Sequence, residues 1–149
     1  MPESWAPGLD DVARHIPLRT RDTRTPGSDT MLGTFTESTT PTAEQAQSVI
    51  DDAVAGIVAT FGDLPSTLPD GDPLAITARS AAEWQAATDI ELAYPNRDAD
   101  IRVAAQLQAR ADAALLTLAA ALKATGGGIV DVFPIWAAPA PPLWADIDL

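Results

Sequence analysis

Between Thr42 and Gly62 apolar side chains fall at Ala46, Val49, Ile50, Ala53, Val54, Ile57, Val58 and Phe61, three or four residues apart. That spacing places them on one face of a helix of about five turns. Thr42 and Gln45 stand at capping-box spacing at its start, and Gly62 follows as the stop. A second helix is predicted from Asp72, an N-cap residue with Pro73 at the first helical position, through Ala93, before Pro95 and Asn96 break it. Its sequence, LAITARSAAEWQAATDIELA, carries alanine on nearly every side, which suits an element packed between neighbours at close range. Asp98 caps a last helix to about Ala124, with a stripe of Ile101, Ala104, Leu107, Ala111, Leu115, Leu118 and Leu122. Gly126, Gly127 and Gly128 end it.

In front of these, residues 10–16 (DDVARHI) predict a short helix stopped by Pro17, because a residue before proline is pushed out of the α region. The pattern is all-α, a small four-helix bundle. Ile50, Val54, Ile57 and Phe61 are expected to be buried against Leu107, Leu115 and Leu118. Two stretches have no helical period. Residues 17–41 hold a PGSD turn between two Thr-rich runs that can pair as a hairpin, which predicts a projecting arm. Residues 129–149 carry Pro134, Pro139, Pro141 and Pro142 among apolar side chains, which predicts an extended tail that needs a surface to lie on.

Hydrophobic residues make up 46% of the chain but aromatic ones only 5%, so the core has to be built from Ala, Leu, Ile and Val. At 149 residues the chain has the length of one domain. The formal charge is -12, which argues against a grip on DNA phosphates. It is unevenly spread: residues 1–24 hold four acids against Arg14, Arg19, Arg21 and Arg24. The absence of cysteine excludes disulfides, thiolate metal sites and a cysteine nucleophile. No signal peptide and no membrane span are expected, and the protein is expected to be made in a cytoplasm.

Candidate chemistry is thin. His15 is the only histidine and has no nucleophile motif beside it, so catalysis is not expected. Asp70-Gly71-Asp72 resembles the start of a calcium loop, but position 12 would be Ala81, so turn and cap roles are expected instead. The triple glycine follows a helix rather than preceding one, so it is no phosphate loop. No metal or cofactor is expected. What remains is binding. Trp5, Trp136 and Trp144 lie outside the helices, either covering the core's edge or anchoring an interface. Arg19, Arg21 and Arg24 alternate along the arm, either as a solvated face or as a docking face for an acidic partner or passing nucleic acid.

The stretch RTRDTRTPGSDTMLGTFTESTTPTAEQAQSVIDDA, with SWAPGLDDVARHI before it and DIELAYPNRD after it, resembles the head-to-tail connector (adaptor) proteins of tailed phages of actinobacteria. The order of motifs is similar over roughly residues 4–120: a Trp-containing opening, a helix starting near DDVA, an arm ending in GTFT, a threonine-proline helix start and an ELAY-type helix end. Gly8 departs from it, standing where a Thr-like cap is expected. The resemblance implies a helical adaptor domain over 1–128 that forms a ring, dodecameric in the family, beneath the portal in the virion neck. Its partners would be the portal protein, adjacent copies of itself and the next neck or tail component. Packaged DNA would pass through unread, along a wall whose acidity keeps phosphate from sticking. The tail would supply partner contacts through Val130, Val132, Phe133, Ile135, Trp136 and Trp144, and the arm through Arg19, Arg21 and Arg24. Two rivals stand beside this: a neck stopper or tail-completion protein, and a small DNA- or regulator-binding module using the Arg14–Arg24 arm.

Overall fold

In the computed structural model residues 3–95 and 101–126 are described, and they form an all-α protein with four helices and, among those residues, no named strand. The helices are α1 (Leu9–Ala13), α2 (Ala43–Thr60), α3 (Pro73–Ala93) and α4 (Ile101–Ala124). α1 stops at Ala13, with Arg14 as its C-cap, short of the expected end at residue 16, and Pro17 instead starts a 3₁₀ turn, Pro17–Thr20.

The starts follow local rules. Gly8 caps α1 without a side chain, and Asp11 completes half a capping box by accepting the Gly8 N–H at 2.9 Å. In α2 the box is whole: the Gln45 N–H donates to the Thr42 hydroxyl, and the Gln45 side chain accepts the Thr42 N–H at 3.0 Å. Asp72 caps α3 by accepting the Leu74 N–H at 2.7 Å, with Pro73 at the first position. The α2 stop differs in mechanism from the expectation. Phe61 is the cap residue, with φ -116° and ψ 67°, and Gly62 follows without a left-handed conformation. The expected cap at Asp98 and the stop at Gly127 and Gly128 lie outside the described residues.

The core is arranged around α3. It buries Leu74, Ala78, Ala81, Ala82, Ala86, Ala87, Thr88 and Ile90, side chains that face more than one direction. Alanine at these positions lets the flanking backbones come close, and the Thr88 hydroxyl is satisfied by donating to the Trp84 carbonyl at 2.8 Å. α2 and α4 both pack on α3, as does α1. The expected direct packing of α2 on α4 is corrected here: no Cα of α2 comes within 8 Å of one in α4. Ile50, Val54 and Ile57 are buried, but against α3 and the N-terminal segment, and Phe61 at the helix end is only half-buried. Leu107, Ala111, Leu118 and Leu122 bury the α3 side of α4, while Leu115 is half-buried. The outer side of α4 is open, with Leu116 69% exposed.

Trp5 settles into the core with no exposed surface. Its indole N–H donates to the Pro65 carbonyl at 3.1 Å, and neighbouring Ser4 bonds to the 66–68 loop on both backbone and side chain. Of the two roles open to it, Trp5 covers the core and does not anchor an outer surface.

Candidate functional site

The arm grows from a base that the bundle holds tightly. Arg19 lies in the 3₁₀ turn with its side chain 9% exposed, facing Glu91 of α3, whose side chain is 15% exposed. The guanidinium donates twice, Nε to Oε1 at 2.8 Å and Nη2 to Oε2 at 2.6 Å. A two-bond fork of this kind also fixes orientation. Thr20, fully buried beside it, donates its hydroxyl to the Pro17 carbonyl at 2.7 Å and accepts the Gly33 N–H at 3.2 Å. That closes the two ends of the arm on each other. The expectation that Arg19 faces a partner along the arm is therefore corrected. A charge this deeply placed needs a counter-charge, and Glu91 supplies it.

Beyond the base the chain pairs antiparallel. Leu32 donates its N–H to the Thr20 carbonyl at 2.9 Å, Asp22 donates to the Thr30 carbonyl at 3.0 Å, and Arg21 faces Met31 across an isolated bridge. The turn is Thr25-Pro26-Gly27-Ser28, with the Ser28 N–H on the Thr25 carbonyl at 3.1 Å and Gly27 at φ +75°. Proline followed by a positive-φ glycine is the pattern of a type II turn, so glycine is required there. Asp22 stiffens the near strand by accepting the Arg24 N–H and the Thr25 hydroxyl, each at 2.9 Å. Those bonds, the Arg24 N–H first, hold its carboxyl below the usual range. The arm is tied once more when Thr23 donates its N–H and its hydroxyl to the Ser38 carbonyl, both at 2.7 Å.

The projecting part is shorter than the 17–41 expected. Residues 17–20 belong to the base, and Phe35, Thr39 and Pro41 fold back into the core. From Arg21 to Gly33 nearly every residue is exposed, including Met31 and Leu32. Arg21 pairs with Asp29 at 2.8 Å in the open, and Arg14 pairs with Asp11. Exposed pairs of this kind stabilise little, but they neutralise the charge. Arg24 is exposed and makes no ion pair among the described residues.

His15 sits at the join of α1 and α3. Its Nε2 is 3.0 Å from Glu83, and its ring lies 3.8 Å from the Trp84 ring, over which Arg110 of α4 also stands at 5.0 Å. These contacts tie the N-terminal segment and α4 to the middle helix. The internal partners Glu83 and Glu91 went unrecognised in the sequence. Their signal was two acids eight residues apart in an otherwise alanine-rich, buried helix.

One further acid is shaped by its surroundings. Half-buried Asp89 has its carboxyl raised above the ordinary 3.8, first by burial and also by Asp52, against a hydrogen bond from Gln85 that lowers it. A group raised on folding contributes most stability below its unfolded pKa and loses that contribution as pH rises through the folded one. Asp89→Asn should therefore be more stable than the wild type at neutral pH, with the difference shrinking on acidification below 3.8. Urea melts at both pH values check this, and a difference of the same size at each would contradict it.

The tail residues Val130, Val132, Phe133, Ile135, Trp136 and Trp144 lie outside the described residues. Among the described residues no group of three or more His, Asp or Glu side chains could hold a metal ion, and no helix is long and apolar enough to cross a membrane. Comparison with protein-family models, with curated proteins and with solved structures finds no match to this chain.

Proposed function

We propose that the chain is a virion structural protein, a head-to-tail adaptor that forms a ring under a phage portal and extends the DNA channel toward the next neck component. The observation that carries this is the arm: an exposed hairpin over 21–33, locked at its root by the buried Arg19–Glu91 fork. A rigid root under an exposed tip suits an element that reaches a neighbouring chain, because little order remains to be gained on contact. The order of motifs over residues 4–120 supports the same reading, and so does the acidic charge of -12, suited to a conduit that DNA slides through. The DNA-binding alternative loses support, because Arg14, Arg19 and Arg21 are each neutralised by an acid of the same chain.

In this reading the adaptor waits as a soluble subunit, since like charges oppose assembly until partner contacts offset them. The apolar tail then binds the portal or a neighbouring adaptor. Mixing the protein with portal rings of its own phage should add a ring of density beneath the portal in negative-stain images. The chain cut after Gly128 should keep its helicity and melting temperature yet fail to join. Full-length protein that leaves the portal bare would overturn the function. Truncated protein that still joins would overturn the role of the tail.

A further inference from the structure

One face of α2 is left open beside the N-terminal segment. Gln47, Asp51, Val54, Ala55 and Val58 recur along that face, and with Glu3 and Ala6 they line a groove of about 640 Å³. Its apolar lining comes from Ala6, Val54, Ala55 and Val58, and the carboxylates of Glu3 and Asp51 line it with them. No residue of the chain's own arm lines it.

Glu3 is the telling residue. Its Oε2 is shut off from solvent and has no hydrogen-bond partner, the one such side-chain atom among the described residues. A buried oxygen of an ionisable group without a donor is destabilising, and the site gains when a donor arrives. The groove thus has space, an apolar lining and a carboxylate oxygen without a donor. The arm has the complement. Arg24 is exposed without an ion pair among the described residues, and Pro26 stands two residues further on, in the turn. About five extended residues separate the arm's base from its tip, which is a reach of roughly 16 Å.

We propose that the groove is the socket for the arm of a second copy of this chain: the Arg24 guanidinium bonds Glu3 and Asp51, and Pro26 covers Ala55 and Val58. Arm and socket are different patches, so the contact is head-to-tail, and copies joined this way close into a ring when the rotation between them allows. The contact places one positive charge on the rim of a strongly acidic neighbour, so it is salt-sensitive and weak between free subunits. The inference deepens the ring reading and rests on it for the closure, though not for the contact.

The chain has no cysteine, so introduced thiols are the only ones present. Full-length protein carrying both Thr25→Cys and Ala55→Cys, mildly oxidised without portal, should give a ladder of dimers, trimers and higher species. Either single-cysteine variant can give dimers at most. Adding Arg24→Glu should weaken the ladder about tenfold, equivalent to about 1.4 kcal/mol. Further adding Glu3→Arg and Asp51→Arg should restore it. Arg24, Thr25, Asp51 and Ala55 are exposed and Glu3 is half-buried, and circular dichroism verifies that each variant stays folded. Absence of any ladder, or a ladder indifferent to Arg24→Glu, overturns the socket. A missing ladder with a normal ring on the portal removes this contact and leaves the adaptor function standing. A charge-dependent ladder without portal binding upholds the contact and removes that function.

Discussion

Replacing Arg19 with alanine should lower stability by about 3–5 kcal/mol, because it strands the Glu91 carboxylate in a site built for a partner. Glu91 keeps 15% of its side-chain surface exposed, so water can reach it only in part, and it loses two hydrogen bonds at once. Replacing both residues, as Arg19→Met with Glu91→Leu, should restore most of the loss, since apolar groups of similar volume need no counter-charge. The arm makes the effect visible in a second way. With its root released, the peptide bonds after Arg21 and Arg24 should be cut faster by trypsin in the native single variant than in the wild type. Urea melts and timed proteolysis check the two halves. A loss below about 1 kcal/mol would mean that the pair behaves as a solvated one.

Trp5→Ala should be as damaging, at about 3–5 kcal/mol, the usual range for deleting a buried aromatic ring. Trp5 has no exposed surface and is seated between the 65–68 loop and α3. Its indole N–H holds the Pro65 carbonyl, and its own carbonyl accepts from Arg79 Nε at 3.4 Å. Trp5→Phe separates the contributions: the ring's volume is mostly kept and one hydrogen bond is lost, for about 1 kcal/mol. Equal losses for the two variants would show that the bond, and not the ring, holds the segment in place.

The helices were legible because their signals are local. Thr42 and Gln45 meet across a single turn, Asp72 reaches a backbone N–H two residues on, and the apolar period of α2 needs no knowledge of what it packs against. The same holds for the arm's turn, which Pro26 and Gly27 specify between them. The alanine content of α3 even announced a helix between neighbours, which it is.

Partner choice was not local, and there the sequence misled. An apolar stripe says that a helix is buried on one side and is silent about which helix buries it. α2 was paired with α4 by the likeness of their stripes, whereas α3 stands between them. Arg19 looked like its neighbours Arg21 and Arg24 in an alternating row, yet a 3₁₀ turn swings it inward to an acid 72 residues away. Trp5 read equally well as core or as anchor until the 65–68 loop closed over it. The groove at Glu3 and Asp51 has no sequence signature, because its walls come from segments about 45 residues apart that only packing brings together. Helix type, caps and turn were written in neighbouring residues. The order of the layers, the burial of one arginine among four and the groove beside α2 were decided by tertiary structure, because each depends on contacts between segments far apart in the chain.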